Sequence, residues 1–337
     1  MRGPIARYSL FPIPYSLLLA GCSGEFGSAN PAGPQARRIA EIQWYLTVTG
    51  TIVFLVVMGL LFFALWRGHR RQEALGGHAV ERHLLHWVIG GVAATTVILL
   101  ATLVYNFYTG RALADFADAS AMTVRVTGHQ WWWEVQYIDS AVDRRFTTAN
   151  EIHIPVGRKV RLEVQSRDVI HSFWVPVLHG KLDLIPGYTG TTYFRADEPG
   201  VFLGRCAEYC GLQHAHMDLR VIAEPPAQFA AWYQNQMRPA TGPADSVQQK
   251  GQQVFLSKAC ATCHTIRGTQ AGSRVGPDLT HLASRRTIAA GTLPNRTGHL
   301  AGWVLDPQKI KPGTRMPPNN LTPSELHALL AYLEGLK

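Results

Sequence analysis

Cysteine is scarce in this 337-residue sequence, which holds five in all: Cys22, Cys206, Cys210, Cys260 and Cys263. One singleton and two close pairs do not make a disulfide framework, but they suit cofactor attachment. Charge is missing from two long stretches, Trp44 to Trp66 and Leu84 to Tyr108, each with aromatic residues near its ends. Uncharged apolar runs of that length can span a bilayer, which excludes a wholly soluble chain. Acidic residues are sparse towards the C-terminus: residues 248–337 hold four Asp plus Glu against eleven Lys plus Arg, whereas 111–240 hold fourteen against thirteen. The net charge of +9 is thus concentrated in one module and is not a nucleic-acid signal. It reads as a surface steered toward an acidic face of a neighbour or donor. No hydrolytic or oxygen-binding site is visible in the chain, so any enzyme activity belongs to a complex.

The N-terminus reads as a signal peptide over residues 1–22, with Arg2 and Arg7 ahead of an apolar run that ends Leu18-Leu19-Ala20-Gly21-Cys22. It resembles a lipoprotein signal, in which the cysteine is lipidated and becomes the new N-terminus. The alternative is an ordinary signal with an idle cysteine. Between the two spans lie Arg67, Arg70, Arg71 and Arg82. The positive-inside rule puts that loop in the cytoplasm and both termini outside. Arg37 and Arg38 argue the other way, and the signal peptide breaks the tie.

From Met122 to Ile222 the pattern becomes short alternating runs such as Thr123-Val124-Arg125-Val126 and Lys159-Val160-Arg161-Leu162-Glu163-Val164, between Pro and Gly turns. This predicts a β-sandwich or barrel. Pro239-Ala240-Thr241-Gly242-Pro243-Ala244 is a linker by composition. Apolar spacing in Val247 to Leu256 and Glu325 to Leu336 is helical and predicts a small α module.

Cys260-Ala261-Thr262-Cys263-His264 is the C-x-x-C-H pattern of c-type haem attachment. Two thiols two residues apart can each form a thioether to one haem vinyl, and the adjacent histidine is directed at the iron. The module has no second cysteine pair, which weakens a zinc or dithiol reading. For the sixth ligand Met316, within Lys311-Pro312-Gly313-Thr314-Arg315-Met316-Pro317-Pro318, is the one methionine downstream of His264, with His281, His299 and His327 as rivals. A Pro-rich loop is rigid enough to present such a ligand.

A second constellation is Cys206-Ala207-Glu208-Tyr209-Cys210-Gly211-Leu212-Gln213-His214-Ala215-His216-Met217, with His171 upstream in Val169-Ile170-His171-Ser172-Phe173-Trp174. Two thiolates, imidazoles and a thioether select copper, and a weak methionine ligand marks electron-transfer copper rather than structural zinc. One copper needs one thiolate, so a second cysteine four residues on points to two coppers bridged by both sulfurs.

These residues resemble the dinuclear CuA site of cytochrome c oxidase subunit II, in the haem-copper oxidase family, on a cupredoxin-like fold. The resemblance makes His171, Cys206, Cys210, His214 and Met217 the side-chain ligands, with Glu208 lending its backbone carbonyl and its carboxylate facing a magnesium ion at the boundary with subunit I. His216 and His179 have no place in that ligand set. Gly128-His129-Gln130-Trp131-Trp132-Trp133-Glu134 resembles the family's aromatic segment, which implies that electrons arrive through Trp131. Core packing of the three rings is the plainer alternative, and strand alternation would bury about half of them. Lys181 to Gly187 resembles a segment at the subunit I contact and makes Asp183 an interface candidate. The Met316 loop and Gly276-Pro277-Asp278-Leu279 resemble the distal and proximal loops of small cytochromes c. The family carries a carboxylate near a proton channel at the start of the second helix, and here that region offers Glu81 and His83.

The resemblance covers 40–238 as subunit II and 248–337 as cytochrome c. It implies a multidomain membrane protein: a two-helix transmembrane hairpin (40–110), an all-β cupredoxin-like domain (120–238), a linker (239–247) and an all-α cytochrome c domain (248–337). The cofactors implied are two coppers, one covalent haem c and magnesium. The partners are subunits I and III, with cytochrome c or quinol-cytochrome c reductase as donor. The implied location is the bacterial inner membrane, with both cofactor domains on the periplasmic or outer side. A linker of this length holds the haem near millimolar effective concentration relative to copper. A copper-containing nitric oxide reductase subunit and a stand-alone membrane electron carrier are the competing readings.

Overall fold

The computed structural model describes residue 27 and residues 30–68, 78–114 and 116–337. The signal segment with Cys22, and Arg70 and Arg71, lie outside the described residues, as do the side chains of Glu81 and Arg82.

Helices α1 (Pro34–Gly68) and α2 (His78–Ala114) are both long and apolar enough to cross a membrane. Apolar side chains such as Phe62, Phe63, Leu99 and Phe107 stand exposed along them, the surface a lipid phase rather than water would cover. The pair is joined near one end, where the Tyr45 and Thr102 hydroxyls lie 3.1 Å apart and the Tyr45 and Tyr105 rings meet edge to face at 5.1 Å. That end abuts the β domain. Ala32 N–H donates to Val177 O at 2.8 Å, and a Cβ at Gly33 would fall 2.3 Å from Arg195 O, so only glycine fits there. Arg37, whose charge weighs against an outward N-terminus, pairs with Asp197 of that domain at 3.2 Å.

The β domain is a sandwich of two five-stranded sheets. Its strands are β1 (Met122–His129), β2 (Trp132–Ile138), β3 (Phe146–Ala149), β4 (Glu151–Pro155), β5 (Val160–Ser166), β6 (His171–Trp174), β7 (Leu182–Leu184), β8 (Gly190–Phe194), β9 (Gly200–Cys206) and β10 (Asp218–Glu224). The sheet orders are β3-β2-β1-β5-β8 and β4-β10-β9-β6-β7. Alternation decides the faces: Val124, Val126, Val135, Leu162 and Val164 point inward from one sheet, and Leu219 and Val221 from the other. Helix α3 (Pro226–Met237) closes one end, packing Trp232 and Tyr233 against Tyr137 and Phe146.

The C-terminal domain is helical. Helix α4 (Ser246–Ser257) starts on Asp245, whose carboxylate accepts from Gln248 N–H, and α8 (Pro323–Glu334) starts on a reciprocal Thr322–Glu325 capping box. These two match the helical spacing read in the sequence. Between them lie the short α5 (Cys260–Cys263), a ribbon of β11 (Thr287–Ile288) and β12 (Leu293–Pro294), α6 (Thr297–Leu305) and α7 (Pro307–Ile310). The linker does not hang free: Ala240 N–H donates to Arg267 O at 2.9 Å, and the Arg267 guanidinium donates to Gln236 O and, at 3.3 Å, to Met237 O.

Helices α4 and α8 cross at Gly251, where a Cβ would lie 2.0 Å from Ala328 O and 2.7 Å from Tyr332 Cβ. Backbone cannot yield there, so Gly251→Ala must push the helices apart. We expect that variant to lose about 1–3 kcal/mol of C-terminal domain stability. Limited proteolysis should then cut residues 248–337 faster than wild type while the β domain survives.

Candidate metal centres

The copper-type constellation gathers at one end of the sandwich. Cys206 ends β9, the chain loops out and returns as β10, and His171 opens β6, the strand that flanks β9 on its other side. One ligand atom each of His171, Cys206 and Cys210 lie within 4.8 Å of one another, and all three residues are buried. The two Sγ atoms are 3.7 Å apart, far beyond the roughly 2.05 Å of a disulfide. Two metal–sulfur bonds of about 2.3 Å would close over that gap at a near-tetrahedral angle, so both sulfurs can share a metal. Cys210 Sγ also lies 3.6 Å from His214 Nδ1 and 3.9 Å from Met217 Sδ, while the Glu208 carbonyl is 3.2 Å from Cys206 Sγ. The donor set of two thiolates, two imidazoles, a thioether and a carbonyl therefore converges as its spacing predicts, and it fits soft, copper-like metals.

His171 shows how the site is aimed. Its Nε2 meets Asp168 Oδ1 at 2.8 Å, which leaves Nδ1 facing Cys206 Sγ at 3.9 Å. A carboxylate behind one ring nitrogen fixes the tautomer and turns the other toward a metal. Burial opposes protonation of His171, yet Asp168 and the Cys206 sulfur outweigh it and raise its pKa. Asp168 in turn is raised by burial but lowered further by His171 and by the N–H groups of Gln130 and Val169, so its carboxyl sits below the usual range. Within the cysteine pair, the Cys210 thiol beside Cys206 holds the Cys206 thiol far below its ordinary value and is itself pushed up. Asp168 is absent from the sequence-derived set. An acid three residues before a candidate ligand was its one available signal.

His216 is exposed and bonded to Gln213 Oε1 at 2.8 Å, and His179 spans Gly180 O and Thr192, so neither joins the ligand set. Glu208 and Asp183, separate in sequence, both reach Lys181 Nζ, at 3.5 and 3.3 Å, on an exposed patch.

The second centre is a cleft lined by Cys260, Cys263, His264 and Met316. His264 Nδ1 donates to Pro277 O at 2.8 Å, leaving Nε2 free. Gly276 belongs to the same loop, and a Cβ on it would lie 2.7 Å from His264 Cε1, so the loop packs flat on the imidazole. Burial pulls the His264 pKa down, favouring the neutral ring an iron ligand needs. Gln308 Nε2 donates to both Thr314 O and Met316 O, at 2.7 and 2.8 Å, and so fixes the methionine loop. The rivals fall away: His281 commits both ring nitrogens to Lys337 O and Arg238 O, and His299 and His327 are exposed. The residues fit a covalently attached haem.

The two centres adjoin. Trp131 lines the haem-type cleft and donates its indole N–H to Cys210 O at 3.0 Å, while Gln130 Nε2 donates to the same oxygen at 2.8 Å. The aromatic run divides as follows: Trp133 is fully buried, Trp131 is 9% exposed at the edge, and Trp132 stacks on His129 at 4.3 Å in the cleft wall.

Residues 138–224 match the family model described as cytochrome c oxidase subunit II, periplasmic domain, and residues 248–337 match the model for cytochrome c. The chain is 35% identical to cytochrome c oxidase subunit 2 of Alkalihalophilus pseudofirmus over 340 residues, covering 96% of this chain and 94% of that one. The like-named protein of Bacillus sp. strain PS3 is 31% identical, covering 98% and 97%. That of Thermostichus vulcanus is 42% identical over 234 residues, covering 66% and 67%. A β-sandwich with this sulfur-rich loop, a helical domain with its haem-attachment pattern, and relatives matched from end to end lead to one conclusion: the chain belongs to the cytochrome c oxidase subunit II family, in a form that carries a cytochrome c domain.

Proposed function

We propose that this chain is the subunit through which electrons enter a caa-type terminal oxidase. Its donor is cytochrome c or quinol-cytochrome c reductase, and its acceptor is subunit I, which reduces oxygen to water with proton translocation. The observation that supports this reading most directly is that one residue, Trp131, belongs to both centres.

A covalent haem c and a dinuclear copper centre, when bound, supply one-electron exchange. The chain's own residues do the rest. Cys260 and Cys263 would anchor the haem, His264 would offer Nε2, and Met316 its thioether from a loop already fixed by Gln308. Cys206, Cys210, His171, His214 and Met217 would hold the coppers through their side chains, with Glu208 offering its carbonyl. Asp168 keeps His171 turned inward. Burial of all three core ligands excludes water, which limits the solvent reorganisation that accompanies each electron. The Glu208 carboxylate and Asp183, both exposed beside Lys181, form the face toward subunit I, where the carboxylate takes magnesium. Helices α1 and α2 anchor the chain as a multi-pass hairpin in the bacterial inner membrane, with Cys22 lipidated and with subunit III in the same assembly. Proton uptake at the second helix falls to Glu81 or His83.

Metal analysis and spectroscopy of the purified complex test this. Two coppers and one c-type haem per chain are expected, with the hyperfine pattern of an electron shared by two copper nuclei; zinc, or a single-copper pattern, overturns the assignment. Cys210→Ser should abolish the shared-electron signal while the haem band remains.

Trp131→Phe keeps a ring but loses the N–H that meets Cys210 O. Flash photoreduction of the haem should then show severalfold slower reduction of copper, with both spectra unchanged. Copper reduced ahead of the haem in wild type would reverse the proposed order.

A further inference from the structure

Lys311 has no part in either ligand set, yet it is the most fully enclosed cation at the junction of the two domains, with 2% of its surface exposed. Its Nζ donates to Trp131 O at 2.9 Å, His216 O at 2.7 Å and Ala289 O at 3.1 Å. An ammonium has three donors, and all three are used. No carboxylate stands within ion-pair distance of it among the described residues.

The three acceptors come from three loops. Trp131 O sits in the bend between β1 and β2, and His216 O in the copper-ligand loop between His214 and Met217. Ala289 O sits at the tip of the β11–β12 ribbon, where Ala289, Ala290 and Gly291 are successive left-handed residues with φ of 54°, 55° and 81°. Alanine rarely adopts that conformation, and two in succession persist only where surroundings hold them. Here Asp218 N–H donates to Ala290 O at 3.0 Å, and Lys311 takes the neighbouring carbonyl. None of the three carbonyls has a strand partner; Ala289 O also accepts the Thr292 hydroxyl at 2.7 Å and His216 O meets it at 3.5 Å, while Trp131 O is served by Lys311, and a buried carbonyl without a donor is costly. Lys311 itself leads into the loop that ends in Met316. That loop touches the copper domain twice more: Gln213 Nε2 donates to Pro312 O at 2.9 Å, and a Cβ at Gly313 would lie 3.3 Å from Leu212 and 3.7 Å from Trp131. Burial pulls the Lys311 ammonium down to about 7, with Asp218 and the Cys210 sulfur opposing that shift.

We infer that Lys311 is a positioning residue for electron passage within the chain: its ammonium fastens the methionine loop and the ribbon tip to the Trp131 bend and the copper-ligand loop, fixing the distance between the two centres. This rests on the function proposed above. Electron transfer falls steeply with separation, so a fastener that touches neither cofactor still sets the rate, as misplacement of a reacting group does in other reactions.

The test compares wild type, Lys311→Met and Lys311→Arg in the intact complex. The wild-type copper and haem spectra come first; if either is missing, the functional reading fails and not the pin. With both present, paramagnetic enhancement of copper spin relaxation by the oxidised haem reads their separation, and flash photoreduction reads the internal rate. Lys311→Met is expected to keep both spectra, weaken and broaden the relaxation enhancement, and slow internal transfer by about tenfold or more, with Lys311→Arg restoring part of each. Unchanged relaxation and rate in a fully loaded Lys311→Met variant overturns the inference. Should that variant lose haem, Lys311→Gln, which retains two N–H donors, is read in the same way. Amide hydrogen exchange at Ala289 to Gly291 then gives a readout independent of both cofactors; faster exchange supports the pin, and unchanged exchange refutes it.

Discussion

A loop that leaves one strand and must return as its neighbour governs this molecule. Strands β9 and β10 pair along their length, from Asp218 opposite Arg205 to Ala223 opposite Gly200, so the chain between Cys206 and Asp218 has to double back within the width of two strands. The reversal crowds four donor side chains into one spot, and β6, on the far side of β9, supplies His171 to close it. The backbone of the same turn does a second job. Cys210 O receives Gln130 and Trp131, so the place where sulfur gathers is also where the aromatic bend is tied down. The haem-bearing domain then packs on that bend. Remove the pairing of β9 with β10, and neither the ligand cluster nor the docking surface exists.

Much of this was legible because the chemistry is encoded locally. The C-x-x-C-H pattern and the cysteine loop place their donors within a dozen residues, and alternation over Val124, Val126, Leu162 and Val164 exposes the sandwich. Helices α4 and α8 show in their periodicity. What escaped depends on distance or on brevity. Asp168 carries no signal stronger than proximity to His171. Lys311 reads as one more base in a basic domain, since the carbonyls it serves lie up to 180 positions away. Helix α7 spans four residues, too few for a period to register. The aromatic run was legible only in part: alternation anticipated that about half of the rings would be buried without saying which, and the bend ahead of β2 sets Trp131 against the cysteine loop.

The junction of the domains is held largely by hydrogen bonds, with the buried charges of Glu151 and Arg285 also attracting each other across it. The Glu151 carboxylate accepts the N–H groups of Arg286 and Thr287, at 2.7 and 3.2 Å, and Arg285 donates to the Thr148 hydroxyl at 3.3 Å. Burial pushes the Glu151 carboxyl up, but His153 and those backbone donors oppose the push. Hydrogen bonds to backbone carry direction that ion pairs lack, so such a surface selects one orientation of docking.

The clasp of Arg267 on Gln236 O and Met237 O changes what the linker is. A slack tether keeps two bodies close and lets each search for the other; a linker stapled at its base, leading into a domain already seated on its neighbour, leaves little to search. The entropy of bringing the centres together is then spent once, at folding, and not at each turnover. On the function proposed above, the chain would act as a fixed relay rather than a shuttle.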